Sequence, residues 1–299
     1  MTSGAQQTGK SWVTFLSDYG LDDHFVGVCK GVIARISPDT GVIDVCHQVK
    51  PQSVAIGARL LGEALPYLPV GIHLALVDPY RRALARPVAI RCADGSTIVC
   101  PDNGLASLAW PELGGVQSVR ELTNTELWNP NPAKSFRGRD VFAPVAAHLA
   151  AGLPYEQVGD KVAPDTLVAL DPQPPYVHGD HVHGTVRMVD HFGNLQLNVT
   201  RADLELAGIA LGDTIELRYS GKTMRVPFTL SFADVAPGRT FVYEDSFRAI
   251  TVVTNMGRAD EVLKAGPADP VVLSRVAQSA TAPRGLVKVV DSPPSQVTA

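Results

Sequence analysis

Apolar and polar positions in the first half of the chain alternate between two periods. The run Trp12-Val13-Thr14-Phe15 predicts a first strand, and residues 25–36 behind it carry the spacing of a helix. Residues 42–46 predict a second strand. Within residues 53–65, Val54, Ala58, Leu61 and Leu65 recur at helical spacing. Residues 72–77 predict a strand that ends at Asp78-Pro79. Residues 88–92 and 97–100 predict two strands joined at Asp94-Gly95, a hairpin signal. Residues 140–151 predict a helix stopped by Gly152 and Pro154. Strands alternating with helices predict an α/β unit over residues 10–163, its mainly parallel sheet covered on both faces.

The pattern then changes. Pro164, Pro172, Pro174 and Pro175 fall close together, and residues 177–183 are rich in His, Gly and Asp, so residues 164–183 are expected to form a linker. Its histidines, His178, His181 and His183, lack a second cluster that would complete a metal site. Short strand candidates follow at 185–189, 195–199, 214–219, 223–228, 240–244 and 250–254. Turn residues such as Ser220-Gly221 and Pro237-Gly238 separate them. Residues 184–280 are therefore expected to form an all-β module, a small barrel or sandwich. Residues 281–299 carry Pro283, Pro293 and Pro294 without periodicity. They predict a tail with at most one strand, at 285–290.

Composition narrows the class. The chain has 299 residues, 45% hydrophobic and 19% charged, with a net charge of -4, and it holds no run of Lys or Arg that would serve a nucleic acid. No apolar stretch reaches the length of a membrane span. The polar start, Met1 to Gln7, does not resemble a signal peptide. Cys29, Cys46, Cys92 and Cys100 have no metal-like spacing and sit among apolar residues, as expected of free thiols in a reducing cytoplasm.

Four loops collect polar residues. The first carries Asp18, Asp22 and Asp23 directly after the first strand, in the crevice position where open α/β sheets bind ligands. Asp22 or Asp23 also suits a helix cap; Asp18 is too far upstream for that. The second is Asp78-Pro79 at a strand end, followed by Arg81, Arg82 and Arg86. The third is Ser135-Phe136-Arg137-Gly138-Arg139-Asp140, before a helix. The fourth is Asp190-His191-Phe192-Gly193-Asn194 in the β module. Each alone could be a solvated turn; the first two are both strand ends of one sheet.

Together these segments resemble one family. Phe15-Leu16-Ser17-Asp18-Tyr19-Gly20 with Asp23, Asp44-Val45-Cys46-His47, Asp78-Pro79, Pro101-Asp102-Asn103-Gly104-Leu105 and Phe136-Arg137-Gly138-Arg139-Asp140 look like the S-adenosyl-L-methionine (SAM) hydroxide adenosyltransferases, relatives of the fluorinases and chlorinases. Asp190 to Asn194, Ser231-Phe232-Ala233-Asp234, and Asp245-Ser246-Phe247 with Asn255 agree, so the likeness runs from about residue 11 to 266. The resemblance implies an N-terminal α/β domain, a C-terminal β-barrel, and a homotrimer holding SAM between subunits. It implies attack of water or hydroxide on the ribose 5′-carbon, yielding adenosine and L-methionine, with no cofactor beyond the substrate SAM. Carried over by position, Asp18 is similar to the acid on the ribose hydroxyls and Asp23 to the acid at the methionine ammonium. Phe192 and Asn194 match contacts to adenine, with Asp190, Phe232, Asn255 and Met256 at neighbouring positions; Ser246 matches the contact to the methionine carboxylate.

The nucleophile site departs from the family's Asp-Arg-His pattern. Asp78 supplies the acid, which favours hydroxide over halide. Arg86 is the best match for the arginine, with Arg82 the runner-up. Arg137 stands where the histidine is expected and cannot act as a base. Two alternatives remain: a SAM-dependent halogenase, and a catalytically impaired SAM- or adenosine-binding protein.

Overall fold

A computed structural model describes residues 11–78 and 85–276. Pro79, Arg81, Arg82, the tail at 281–299 and the strand expected at 285–290 lie outside the described residues. The chain divides into two units between Gln173 and Pro174.

The first unit is built on a sheet of seven strands: β1 (Trp12–Ser17), β2 (Gly41–Cys46), β3 (Ile72–Leu76), β4 (Pro87–Cys92), β5 (Thr97–Pro101), β6 (Val116–Glu121) and β7 (Lys161–Val162). Their spatial order is β2-β1-β3-β5-β4-β6-β7. Pairing is parallel from β2 through β5 and antiparallel from β5 through β7, so the sheet is mixed where the sequence pattern suggested a mainly parallel one. The reason is the Asp94-Gly95 turn. Gly95 adopts φ +94°, Asp94 accepts the Ser96 N–H at 2.8 Å, and the chain folds straight back without a helical crossover.

Helices α1 (Phe25–Ile36) and α3 (Ala143–Ala150) cover one face of this sheet, against Val13, Phe15, Leu74 and Leu76. Helix α2 (Val54–Ala64) covers the other, against Leu16, Ala75 and Val77. Strands β1 and β3 are therefore buried on both sides, which is why they read as near-continuous apolar runs. Ser17 of β1 pairs with Leu76 of β3 in parallel register. The loops that follow these two strands, carrying Asp18 and Asp78, leave the same edge of the sheet side by side.

The second unit is an eight-stranded antiparallel sheet: β8 (Tyr176–His178), β9 (His181–Val189), β10 (Leu195–Thr200), β11 (Thr214–Tyr219), β12 (Lys222–Pro227), β13 (Thr240–Glu244), β14 (Ala249–Thr254) and β15 (Pro270–Arg275). The order β12-β11-β15-β9-β10-β14-β13 curls until its ends meet, where Phe228 bridges Val242 and the Thr229 N–H reaches the Val242 carbonyl at 3.0 Å. The sheet is thus nearly a barrel. In β9, buried and half-buried positions alternate strictly, and Val182, Val186, Leu197, Ile215 and Leu273 fill the interior. Two short helices complete the unit, α4 (Arg201–Leu206) and α5 (Ala259–Leu263).

Strand β8 and the start of β9 lie in the stretch expected to be a linker, turning at Gly179 with φ +62°. His183 stacks on Tyr176 at 4.4 Å, and His181 pairs with Asp180 at 2.6 Å. Among the described residues, no group of three or more His, Cys, Asp or Glu side chains is placed to hold a metal ion, and no helix is long and apolar enough to cross a membrane.

Candidate active site

A cleft of about 110 Å³ opens at the edge of the first sheet where β1 and β3 end. Asp18, Tyr19, Asp78, Lys134, Ser135, Arg137 and Gly138 line it, with the apolar Leu76, Pro101 and Phe142. Asp18, Asp78 and Arg137 thus come together from three separate loops.

The Asp18 loop is held from below by the segment that follows β2. His47 Nδ1 lies 2.7 Å from Ser17 Oγ, and its Nε2 lies 3.2 Å from Asp44. The Gly20 N–H donates to the His47 carbonyl at 2.7 Å, and the Gln52 N–H donates to the Asp18 carboxylate at 2.9 Å. His47 and Ser17 are buried. The Asp44–His47 motif is therefore a brace beneath the loop that carries Asp18.

Arg137 sits at the mouth of an unusual helix start. Residues Gly138–Phe142 form a turn of π-helix before α3, a form that often marks functional sites. Pro144 has no N–H, so it makes no bond back to the Asp140 carbonyl. The Asn129 N–H takes that carbonyl instead, at 2.9 Å. The Asp140 side chain, 2% exposed, accepts both Arg139 donors at 2.6 and 2.7 Å and the Ala133 N–H at 2.8 Å. The Arg139 guanidinium holds this carboxyl below the usual range. The loop from Asn129 to Arg139 is thereby fixed around one buried anion.

Within the cleft, Arg137 Nη1 donates to the Ala85 carbonyl at 2.9 Å and lies 3.8 Å from Asp78 Oδ2, with its guanidinium over the Phe142 ring. Burial raises the proton affinity of Asp78; Arg137 and the Asn103 amide pull the other way, and Asp18 adds to the rise. Burial likewise raises Asp18, against the Gln52 hydrogen bond. Burial makes the Arg137 cation easier to deprotonate, an effect its neighbours Asp78 and Glu121 oppose. Asp78 thus faces the Arg137 cation, with Asp18 in the same cleft, partly shielded from water. Such a carboxylate can orient a water molecule and take its proton.

The other expected residues fall elsewhere. Arg86 is not part of the cleft lining; it pairs with Asp102 at 2.6 Å and reaches Thr166 at 3.2 Å. Asp23 is exposed and accepts the Phe25 N–H at 3.0 Å, capping the start of α1. Tyr19, Lys134 and Gly138 line the cleft without having been singled out. In the sequence Tyr19 and Gly138 stand only as members of the quoted motifs, with no role assigned to either. A Cβ at Gly138 would lie far inside contact distance of the Tyr19 hydroxyl.

In the second unit, Asp190 organises its own turn. It accepts the Phe192 and Asn194 N–H groups, each at 2.9 Å, and the Asn194 amide at 2.7 Å. Phe192 is left 70% exposed on this turn. Asp245 repeats the arrangement before Ser246: it accepts the Phe247 N–H at 2.9 Å, the Ala249 N–H at 3.0 Å, and the Gln196 and Thr251 side chains at 2.9 Å each. Burial pushes the Tyr243 hydroxyl up, and the nearby Asp245 and Asp190 carboxylates add to the rise. Phe232 packs edge-on against Phe241 and Tyr243, and Asn255 ties the Phe232 segment down through the Val235 carbonyl at 2.6 Å. Met256 follows at φ +54° and is exposed.

Comparison with known proteins gives this geometry a family. The SAM hydroxide adenosyltransferase N-terminal domain matches residues 13–159, and the C-terminal domain of the same family matches residues 184–272. The chain is similar to the (R)-S-adenosyl-L-methionine hydrolase of Salinispora tropica, 43% identical over 260 residues, covering 86% of this chain and 95% of that one. The enzyme of that name from Thermus thermophilus is 39% identical over 269 residues, covering 87% and 98%. A fluorinase from Nocardia brasiliensis is 32% identical over 248 residues, covering 74% and 82%. An uncharacterized conserved protein of known structure from Thermotoga maritima superposes with a TM-score of 0.82 at 34% identity, covering 88% of this chain and all of that one. With both domains matched in order, the chain belongs to the SAM hydroxide adenosyltransferase family.

Proposed function

We propose that this protein hydrolyses SAM to adenosine and L-methionine. The observation that carries the proposal is Asp78, with its raised proton affinity, beside Arg137 in a cleft shared with Asp18. A water oxygen forms the bond to C5′, and the C5′–S bonding pair stays on sulfur. The sulfonium becomes a neutral thioether, and the water proton passes to Asp78 and then to solvent. The leaving group departs neutral, so positioning and desolvation of the nucleophile supply the catalysis, and the reaction needs SAM and water with no further cofactor. Asp18 receives the ribose hydroxyls, since a carboxylate accepts both bonds of a vicinal diol. Asp23 keeps one oxygen for the methionine ammonium. Arg86 acts as a positioning residue: it fixes Asp102, whose neighbour Asn103 donates to the Val77 carbonyl at 2.8 Å, next to Asp78.

The adenine and methionine carboxylate contacts belong, in this proposal, to the second unit of a neighbouring subunit in a homotrimer: Phe192 and Asn194 with Asp190, Phe232, Asn255 and Met256, and Ser246. Two observations support an assembly of this kind. The cleft of about 110 Å³ is well below the roughly 300 Å³ at which small-molecule pockets begin. Phe192, Met256 and Leu230 are large apolar side chains that are 70%, 86% and 69% exposed. A cytoplasmic location fits a substrate of central metabolism.

Purified protein incubated with SAM, with and without chloride or fluoride, tests the reaction by chromatography of the nucleosides. Adenosine alone is expected. A 5′-halo-nucleoside would instead make it a halogenase, and tight SAM binding without turnover an impaired binding protein. Asp78→Asn should lose most turnover and keep SAM binding. For the assembly, co-expressed Asp78→Asn and Phe192→Ala subunits should regain activity in mixed oligomers; no regain would overturn the shared site.

A further inference from the structure

Among the described residues that line the cleft, Tyr19 is the one hydroxyl-bearing aromatic. Its ring is wedged among Phe15, Phe25 and Phe136 at centroid distances of 6.5, 6.0 and 5.9 Å. Three aromatic neighbours leave the ring little freedom, so its hydroxyl has a defined position. That position is against Gly138, where any side chain would collide with it. Gly138 adjoins Arg137 and opens the π-helical turn. Among the described residues the Tyr19 hydroxyl makes no hydrogen bond, although its surroundings include Asp18, Asp78 and Arg137. A packed ring, a glycine that makes room for its hydroxyl, and a hydroxyl without a hydrogen bond among the described residues, in one cleft with two carboxylates, form a built arrangement.

Resting on the hydrolysis proposed above, we infer that Tyr19 is a further catalytic residue, its hydroxyl oxygen accepting one O–H of the reacting water while Asp78 accepts the other. With both protons engaged, the free lone pair of the water is aimed at C5′. This assigns a neutral polar group to the place where the family's histidine is missing, a task Arg137 cannot perform because guanidinium only donates. Burial and the neighbouring carboxylates push the Tyr19 hydroxyl upward, so it stays protonated and does not compete with Asp78 for the water proton. The bond-making and bond-breaking are unchanged: Tyr19 gains and loses nothing in the step.

Tyr19→Phe removes the hydroxyl and keeps the packed ring. The expected result is a fall in kcat of about tenfold to a hundredfold, the size of one lost hydrogen bond in a transition state, with KM for SAM within about twofold. Gly138→Ala supplies the second arm. It should lower kcat in the wild-type background by displacing the hydroxyl and cost much less in the Tyr19→Phe background, where no hydroxyl stands in the way. Unchanged kcat in Tyr19→Phe would overturn the inference, as would Gly138→Ala costing the same in both backgrounds. Wild-type protein assayed in parallel separates the two levels: without adenosine from wild type, the hydrolysis proposal fails and this one falls with it. With wild-type turnover present, only the role of Tyr19 is at stake.

Discussion

Replacing His73 by asparagine should flatten the acid side of the protein's stability profile. His73 lies on β3 with 1% of its surface exposed, its Nδ1 2.9 Å from Thr14 Oγ1 and its Nε2 without a partner among the described residues. Burial lowers its pKa from 6.5 to about 4, against a small opposing pull from Asp94. The unfolded chain therefore binds a proton that the folded chain refuses. Stability is intact above pH 6.5, falls as pH drops toward 4, and is then constant with respect to this group. Linkage between those two values gives a loss of about 2 kcal/mol from pH 7 to pH 5 and about 3 kcal/mol in full. That is a large share of the ~5–15 kcal/mol that holds a typical domain together. Urea unfolding at pH 7 and pH 5 measures it. Trp12, Trp110 and Trp128 are the only tryptophans and all lie before Gln173, so intrinsic fluorescence follows the unit that contains His73. His73→Asn keeps a polar atom near Thr14 and removes the titration. Wild type should lose about 2 kcal/mol more than the variant over this interval; equal losses would show that His73 is not held neutral.

Three further outcomes follow from the same contacts. Arg137→Gln should move the acid limb of kcat/KM to higher pH, because Arg137, together with the Asn103 amide, lowers Asp78 against its burial; a pH-rate profile in which the limb stays put removes Arg137 from the electrostatics of the site. Asp245→Ala leaves two backbone and two side-chain donors without their acceptor and should cost about 3 kcal/mol, read as lost hydrogen-exchange protection at Phe247 and Ala249. Phe15→Ala, at a fully buried position beneath Tyr19, should cost about 3–5 kcal/mol in the same fluorescence-monitored unfolding.

The fold was legible where burial and local preference agree. Strand β3 and helix α1 fall where the apolar pattern put them, because a doubly covered strand and an amphipathic helix each write their period into the chain. Strand β6 escaped because Gln117, Ser118 and Arg120 interrupt it, and β15 because it follows Gly266-Pro267 without alternation. The helix expected at 140–151 is really a π-turn followed by a shorter α-helix, for a reason carried by one residue, Pro144. The acids at the cleft were visible as carboxylates at strand ends. What could not be read was the pairing of Arg86 with Asp102, a contact between distant loops, and the seat of the Tyr19 hydroxyl against Gly138, which lies far along the chain.

The paired aspartate turns of the barrel have a thermodynamic consequence. In each, one carboxylate oxygen accepts the N–H groups two and four residues ahead, so the loop is closed by its own first residue. Phe192 and Ser246 are presented on frameworks whose backbone entropy was surrendered when the chain folded. A ligand docking on them, as proposed above, would pay for its own immobilisation and little for theirs, so its affinity would be set by contact rather than by loop ordering. Measured heat capacity changes on binding should then reflect buried apolar surface alone, without the added component of a coupled folding event.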